Sequence, residues 1–299
     1  MGAVEEFEAN RRRLFSLAYR MLGSAAEAED VVQDAYLRWH AVGEGEVALP
    51  GAWLAKVTTN LCLNRLGSAR ARREEYPGTW LPEPVATGGG ALGPMERAEQ
   101  REAVSFAVLT LMERLSPPER AAVVLRDAFG YGHREVAGVL DCSEPAARQL
   151  YSRGRRHLAD APRATGPGPD PGQNAELLGS FLAAAAEGAL DRLEALLAAH
   201  VVVWSDGGGR ARAALRPVRG RGDAARFLAG LFQRFAAGVR FEAAEANGGA
   251  VLLCWEGPEL TSVGAVEAGP DGITAVRVLR NPEKLAHFAA RHRELSQNG

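Results

Sequence analysis

Three sets of polar side chains stand at spacings suited to binding. Arg148, Gln149, Ser152, Arg153, Arg155 and Arg156 cluster in one helical stretch, away from Leu150 and Leu158. Such a helix fits the DNA major groove, its N-terminal part reaching base edges and the rest meeting phosphates. Arg148, Gln149 and Ser152 are the base-edge candidates; Arg153, Arg155 and Arg156 are phosphate candidates, which position rather than specify. A solvated basic helix in an ordinary bundle would show the same pattern. In the second set, Lys56, Asn60, Asn64 and Arg65 follow one another at intervals of 4, 4 and 1, so they share one broad helix face. Asn can read a base edge bidentately. Capturing a base contributes about 1–3 kcal/mol by stacking, comparable to the few kcal/mol of unstacking it. Trp53 offers a stacking platform, although a core position is the more ordinary place for a Trp. Arg70, Arg72 and Arg73 follow as phosphate candidates. The third set, Asp30, Gln33 and Asp34, forms an acidic stripe suited to a basic partner; a merely solvated face would look alike.

The elements that must carry these residues can be read locally. Val136, Ala137, Val139 and Leu140 form the apolar side of a short helix, and Asp141-Cys142-Ser143 make a turn. Ser143 is a good N-cap, and Pro145 falls in the first turn of the next helix, where its missing N–H costs little. The result reads as a helix-turn-helix over residues 131–158. Gly154 inside its second helix costs roughly 1 kcal/mol relative to Ala. Upstream, Leu14, Leu17, Ala18, Met21 and Leu22 follow helical spacing, and Ser24 to Glu27 is a capping box. The helix it opens turns Val31, Val32, Ala35, Tyr36 and Trp39 inward. A Gly-rich loop (residues 41–51) precedes a long helix from about Ala52 to Arg73. A further helix is expected near Glu96–Leu115, then a capping box at Ser116-Pro-Pro-Glu119.

Beyond residue 172 the pattern changes. Helices are expected over Asn174–Ala186, Asp191–Ala199 and Asp223–Phe235, and strands over Val201–Trp204, Val239–Glu245, Ala250–Trp255, Thr261–Ala268 and Gly272–Leu279. This predicts an α+β domain with a curved antiparallel meander. Pro- and Gly-rich stretches mark linkers at 76–94 and 160–172. The domains are therefore expected at 1–75, 95–159 and 173–299.

Hydrophobic residues make up 46% of the 299 residues, enough for several cores and against wholesale disorder. The formal net charge of −2 excludes DNA binding by bulk positive charge, so contacts must be focal. Cys62, Cys142 and Cys254 lack metal-ligand spacing, which argues against a zinc site or a disulfide scaffold and fits a reducing cytoplasm. No apolar run is long enough to span a membrane and no signal-peptide core is present. A cytoplasmic protein with neither metal nor cofactor is expected.

The chain resembles the sigma-70 family of bacterial RNA polymerase initiation factors, in its extracytoplasmic-function subgroup. The resemblance rests on residues 13–23 (RLFSLAYRMLG), 28–39 (AEDVVQDAYLRW), 53–64 (WLAKVTTNLCLN) and the helix-turn-helix. The remainder resembles the subgroup with a fused SnoaL-like C-terminal domain, often called SigJ-type. Its signposts are Trp80-Leu81-Pro82-Glu83-Pro84, Asp206-Gly207-Gly208-Gly209 and Asn281-Pro282-Glu283-Lys284-Leu285. Arg210 stands where the family pattern suggests Lys, and Glu283 where it suggests Asp.

The resemblance implies two all-α sigma domains followed by an α+β SnoaL-like cone. It implies that the stripe of Asp30, Gln33 and Asp34 docks on core RNA polymerase. Lys56, Asn60, Asn64, Arg65, Arg70, Arg72 and Arg73 would then handle the −10 promoter element, and the recognition helix the −35 element. The C-terminal domain would regulate rather than catalyse. Residues 80–84, 206–210 and 281–285 are expected to meet at an interdomain contact that sets the distance between the two DNA-reading regions. SnoaL-like cones can be isomerases or cyclases. Here His200, Asp206, Asp223 and Glu256 are the available groups, no Tyr follows Tyr151, and Asp206 reads more simply as a turn former. Two alternatives stay open: a SnoaL-type isomerase or cyclase, and a ligand-sensing DNA-binding regulator independent of polymerase. A small ligand in the cone, of a kind the sequence does not identify, is compatible with the sigma-factor reading as well as with these alternatives.

Overall fold

The computed structural model describes residues 2–42, 46–87, 104–159, 171–235 and 238–297, without the side chains of 68–74, 171–175, 186, 235 and 296. The expected Gly-rich loop lies partly outside these residues. So do the start of the helix expected at Glu96, most of the 160–172 linker and the end of the 76–94 linker. The chain forms two compact units, Met1–Glu75 with Gly89–Ala161, and Tyr76–Gly88 with Pro162–Gly299.

The first unit is all helical. α1 (Ala3–Leu22) ends at Gly23 in the left-handed region, and α2 (Ala25–His40) opens where the Ser24 hydroxyl accepts the Glu27 amide at 3.1 Å. α1 buries Leu14, Leu17, Ala18, Met21 and Leu22, and α2 buries Val31, Val32, Ala35 and Trp39. α3 (Pro50–Glu74) packs across both. Trp53 is half-buried with its ring 5.6 Å from Trp39, so it belongs mainly to the helical packing.

α4 (Phe106–Met112) and α5 (Pro117–Val123) follow, α5 opened by the capping box of Ser116 and Glu119. α5 continues into a wider turn over Val124–Ala128. α6 (His133–Val139) and α7 (Glu144–Ala159) form the helix-turn-helix. Asp141 takes the turn in the left-handed region at φ 50°, a conformation Asp tolerates.

The second unit pairs helices with a six-stranded sheet. α8 (Pro171–Ala186) and α9 (Leu190–Leu196) lead into β1 (Leu197–Asp206). β2 (Val218–Arg219) and α10 (Arg221–Phe235) precede β3 (Val239–Ala246), β4 (Gly249–Glu256), β5 (Glu259–Gly269) and β6 (Gly272–Leu279). A C-terminal helix, α11 (Pro282–Gln297), closes the unit. The strand order is β2-β1-β6-β5-β4-β3.

The sheet is mixed rather than wholly antiparallel, because β1 runs parallel to β6. The chain leaves β1 and β2 at one edge, crosses by α10, and starts the meander at the opposite edge with β3. Three hairpins then bring β6 back beside β1, a parallel pairing that only such a long crossover permits. Leu178, Phe181, Leu193, Leu228, Leu252, Val276 and Val278 form the core between α8, α9, α10 and the sheet. Leu253 and Trp255 alternate with Leu252 and so face the other way. There Trp255 meets His292 of α11 with ring centroids 6.0 Å apart.

Candidate nucleic-acid and polymerase interface

α7 is placed by burial on one side and charge on the other. Ala147, Gly154 and Leu158 are buried, Leu150 is half-buried, and Arg148, Gln149, Ser152, Arg153, Arg155 and Arg156 are exposed. Gly154 is a packing requirement. A Cβ there would lie 2.7 Å from Cγ2 of Val123 and 3.3 Å from the Glu119 carbonyl, so only glycine lets α7 cross α5 this closely. The helix propensity it forfeits, roughly 1 kcal/mol, is offset by that approach.

Five of the six exposed side chains fall into two groups. Arg153 bonds Glu119 at 3.1 Å and Arg155 bonds Asp127 at 3.0 Å, with the Tyr151 hydroxyl donating to the same Asp127 carboxylate. These pairs staple α7 to α5 and to the wider turn that continues it. Arg148, Gln149 and Ser152 line a shallow, open recess with Glu144 and Pro145 near the start of α7. Arg148 is paired there with Glu144 one turn back, an exposed contact that a phosphate or base can displace.

Along α3, Asn60 is half-buried and Asn64 exposed. The Lys56 ammonium pairs with Asp141 in the turn of the helix-turn-helix. Arg65 turns toward α2, donating to Asp34 at 2.8 Å and to the Glu27 carbonyl at 3.1 Å, with Asp30 at 3.4 Å. The stripe of Asp30, Gln33 and Asp34 thus lies beside a DNA-reading candidate. Leu37, the next residue along the exposed face of α2, is 60% exposed. The side chains of Arg70, Arg72 and Arg73 lie outside the described residues.

The two helical regions are joined by a buried cation. Arg120 of α5 is 2% exposed; its Nε donates to the Arg20 carbonyl of α1 at 3.2 Å and its guanidinium pairs with Glu113 at 2.5 Å. Burial lowers the Arg120 pKa from its ordinary value, and burial likewise pushes the Cys62 thiol up, far from reactive thiolate character. Arg13 and Arg20 both lie over the Phe129 ring at 5.7 Å.

In the second unit the three expected motifs converge, and their meeting point is inside that unit. Residues 76–87, read from sequence as linker, form a strap on the C-terminal domain. The side chain of Asp206, at the end of β1, is fully buried. It accepts the Tyr76 hydroxyl at 2.6 Å, the Leu81 amide at 2.8 Å, the Gly208 amide at 3.1 Å and the Lys284 ammonium at 2.6 Å. Lys284 also donates to the Leu81 carbonyl and lies 4.3 Å over the Trp80 ring. The Asn281 amide donates to the Tyr76 hydroxyl at 2.9 Å. Burial, with Asp206 as acceptor, raises the Tyr76 pKa well above its usual value.

The glycines after Asp206 leave room for this cluster. A Cβ on Gly208, at φ +57°, would stand 2.2 Å from the Asn281 side-chain nitrogen. Arg210 pairs with Glu283 at 2.8 Å, so the two departures from the family pattern meet each other. Leu81, Pro82, Glu83 and Pro84 are buried, as is Leu285, while Pro282 is exposed.

Sequence reasoning missed two contributors. Tyr76 returns a tyrosine to a domain that has none after Tyr151. Asn247 occupies the Asn-Gly turn between β3 and β4, at φ 54°, and its side chain accepts the Val85 amide at 2.9 Å. The turn signal was legible, but its second task was not. Of the other groups weighed for catalysis, His200, Asp223 and Glu256 are exposed, and Asp223 pairs with Arg226. A recess lined by Phe232, Phe241, Cys254, Glu256 and Arg280 has a volume of about 50 Å³, well below the ~300 Å³ of an ordinary small-molecule site. Among the described residues no helix is long and apolar enough to cross a membrane.

Comparison with known proteins accounts for both units. Residues 7–72 match Sigma-70 region 2, and residues 105–158 match Sigma-70, region 4. The chain is 40% identical over 313 aligned residues to the ECF RNA polymerase sigma factor SigJ of Mycobacterium tuberculosis, covering 99% of this chain and 97% of that one. It is 32% identical to the probable ECF RNA polymerase sigma factor SigI of the same species, over 62% of this chain and 64% of that one. The crystal structure of M. tuberculosis SigJ superposes with a TM-score of 0.74 at 37% identity, covering 95% of this chain and 98% of that one. With a region 2 fold, a region 4 helix-turn-helix and near full-length similarity to SigJ, this chain belongs to the extracytoplasmic-function sigma factors of the sigma-70 family.

Proposed function

We propose that this sigma factor docks on core RNA polymerase through Asp30, Gln33 and Asp34. It reads the −10 element with α3 and the −35 element with the N-terminal part of α7. The observation carrying this reading is the solvent-open recess of Arg148, Gln149 and Ser152, held outward by the Arg153 and Arg155 pairs. Gln149 and Arg148 supply base-edge bonds, and Arg156 a phosphate contact. On α3, Asn60 and Asn64 catch bases, and Lys56, Arg70, Arg72 and Arg73 meet the backbone. The SnoaL-like C-terminal domain acts without catalysis, since Asp206 is fully engaged by four donors. It modulates initiation by holding the segment that follows region 2.

The helical unit supports a further element of this reading. Elements at −10 and −35 stand about 25 base pairs apart, roughly 85 Å of duplex at 3.4 Å per pair. Lys56 and Asp141, one from each reading region, are in direct contact. The packed unit is therefore the promoter-free arrangement, and loading separates α3 from α5 and α6.

The test is transcription by sigma-free core polymerase from this gene's own upstream DNA, with wild type, Gln149→Ala and Asp206→Asn. Wild type should initiate, and Gln149→Ala should lose about 5- to 150-fold, the value of a good bidentate base contact. Failure of wild type to initiate on its promoter defeats the assignment of these surfaces. Wild-type behaviour of Asp206→Asn defeats the modulating role of the C-terminal domain.

A further inference from the structure

Arg65 sits where the two proposed surfaces of region 2 meet. Its stem rises from α3, beside Asn64, while its guanidinium lies on α2 against Asp34, Asp30 and the Glu27 carbonyl. The side chain of Arg65 is 26% exposed, whereas those of Asp30 and Asp34 are 68% and 45% exposed. A basic partner approaching the stripe therefore meets the open sides of the two carboxylates while Arg65 holds their inner sides.

We propose that Arg65 couples polymerase docking to promoter capture by exchanging partners. Cations of the polymerase take over Asp30 and Asp34, and Arg65 moves to a backbone phosphate of the DNA on α3. The inference rests on the reading of Asp30, Gln33 and Asp34 as the docking stripe. Before docking, the two carboxylates hold Arg65 away from nucleic acid. After docking, their charge is neutralised by the partner, and the attraction on Arg65 falls. The long arginine stem lets the guanidinium swing without moving α3, and its planar fork suits phosphate as well as carboxylate. Such coupling is reciprocal: DNA that takes Arg65 uncovers the stripe and tightens polymerase binding by the same factor.

The exchange predicts opposite effects on the two partners, which a brace holding α2 to α3 would not produce. Full-length wild type, Arg65→Gln, Arg65→Lys and Asp34→Asn would be compared for thermal stability, affinity for core polymerase without DNA, and salt dependence of promoter binding by the holoenzyme. Arg65→Gln should bind core about two- to fivefold more tightly, the scale of a surface ion pair. Its holoenzyme should bind promoter DNA more weakly, with a log–log salt slope shallower by about 0.9, one phosphate contact. Arg65→Lys preserves the charge and serves if the Gln variant fails to fold. It should keep the wild-type salt slope while still binding core more tightly, because an ammonium cannot hold both carboxylates in one fork. Unchanged or weaker core binding by the Arg65 variants, or an unchanged slope for Arg65→Gln, overturns the exchange. Core binding by Asp34→Asn at wild-type strength removes the docking stripe itself, an outcome distinct from failure of the exchange alone.

Discussion

At the scale of single residues, Glu119 shows how one carboxylate organises the DNA-reading motif. It caps α5 through the Ser116 amide at 3.1 Å, pairs with Arg153 at 3.1 Å and lies 3.5 Å from His157. Burial by itself would raise its pKa, but the hydrogen bonds from Ser116 and the charges of His157 and Arg153 outweigh it, and the net shift is downward. With a depressed pKa in the folded state, the unfolded chain binds the proton more readily. The stabilisation is therefore present above the unfolded value of about 4.3 and lost as pH falls through the folded one. Glu119→Gln should destabilise the protein by about 1–3 kcal/mol at pH 7, and by clearly less near pH 3. Urea titrations at the two pH values check this; an equal penalty at both would mean that the charge contributes nothing. The sequence marked Glu119 as a capping residue. Its pairing with Arg153 depends on how α7 crosses α5, and that crossing depends on Gly154.

At the scale of elements, the strap of residues 76–87 is the largest departure from sequence expectation. Its proline and glycine content excludes a helix, and a linker is the ordinary meaning of that composition. Yet Leu81, Val85 and Ala86 are almost fully buried, Ala86 bridges to Ala246, and the Thr87 hydroxyl donates to Glu245 at 2.8 Å. The strap adds to the free edge of β3, covering part of an edge strand that would otherwise expose its backbone. Asn247 anchors it by accepting the Val85 amide while forming the two-residue turn that the β3–β4 hairpin needs. Asn247→Gly keeps the turn conformation and removes that acceptor. It should cost about 1 kcal/mol and raise hydrogen exchange at the Val85 amide, with the sheet amides of β5 and β6 unaffected. Protection at Val85 that stays at the wild-type level would show that the edge pairing alone holds the strap.

At the scale of the whole molecule, the C-terminal domain and the chain after region 2 form one folded unit. Deleting the domain after residue 165 would leave the strap without its partners. Leu81 and Val85 would lose their cover, and the shortened protein should bind a hydrophobic dye and be cleaved by protease within residues 76–87. Full-length protein should do neither, and a truncated protein that stays resistant within the strap would refute the dependence. Changes in transcription on truncation therefore combine loss of the domain with release of the strap, and Asp206→Asn separates the two.

By itself the sequence determined the local order of this protein. Helical periodicity, capping residues at Ser24 and Ser116, and the helix-turn-helix pattern are short-range signals, carried within a few turns of chain. The same is true of the alternating strands and the Asn-Gly turn. Hence the helical regions, the α+β class and the family resemblance were legible. The α9–β1 boundary at Leu197 and the helix Pro282–Gln297 were not, the first because an apolar run suits helix and strand alike. Only the tertiary structure decided which groups meet. The parallel pairing of β1 with β6, the burial of Arg120, the turn of Arg65 toward α2 and the closure of Tyr76 and Lys284 on Asp206 join residues far apart in the chain. Such contacts follow from packing and from the demand that buried polar groups find partners, and no local spacing encodes them.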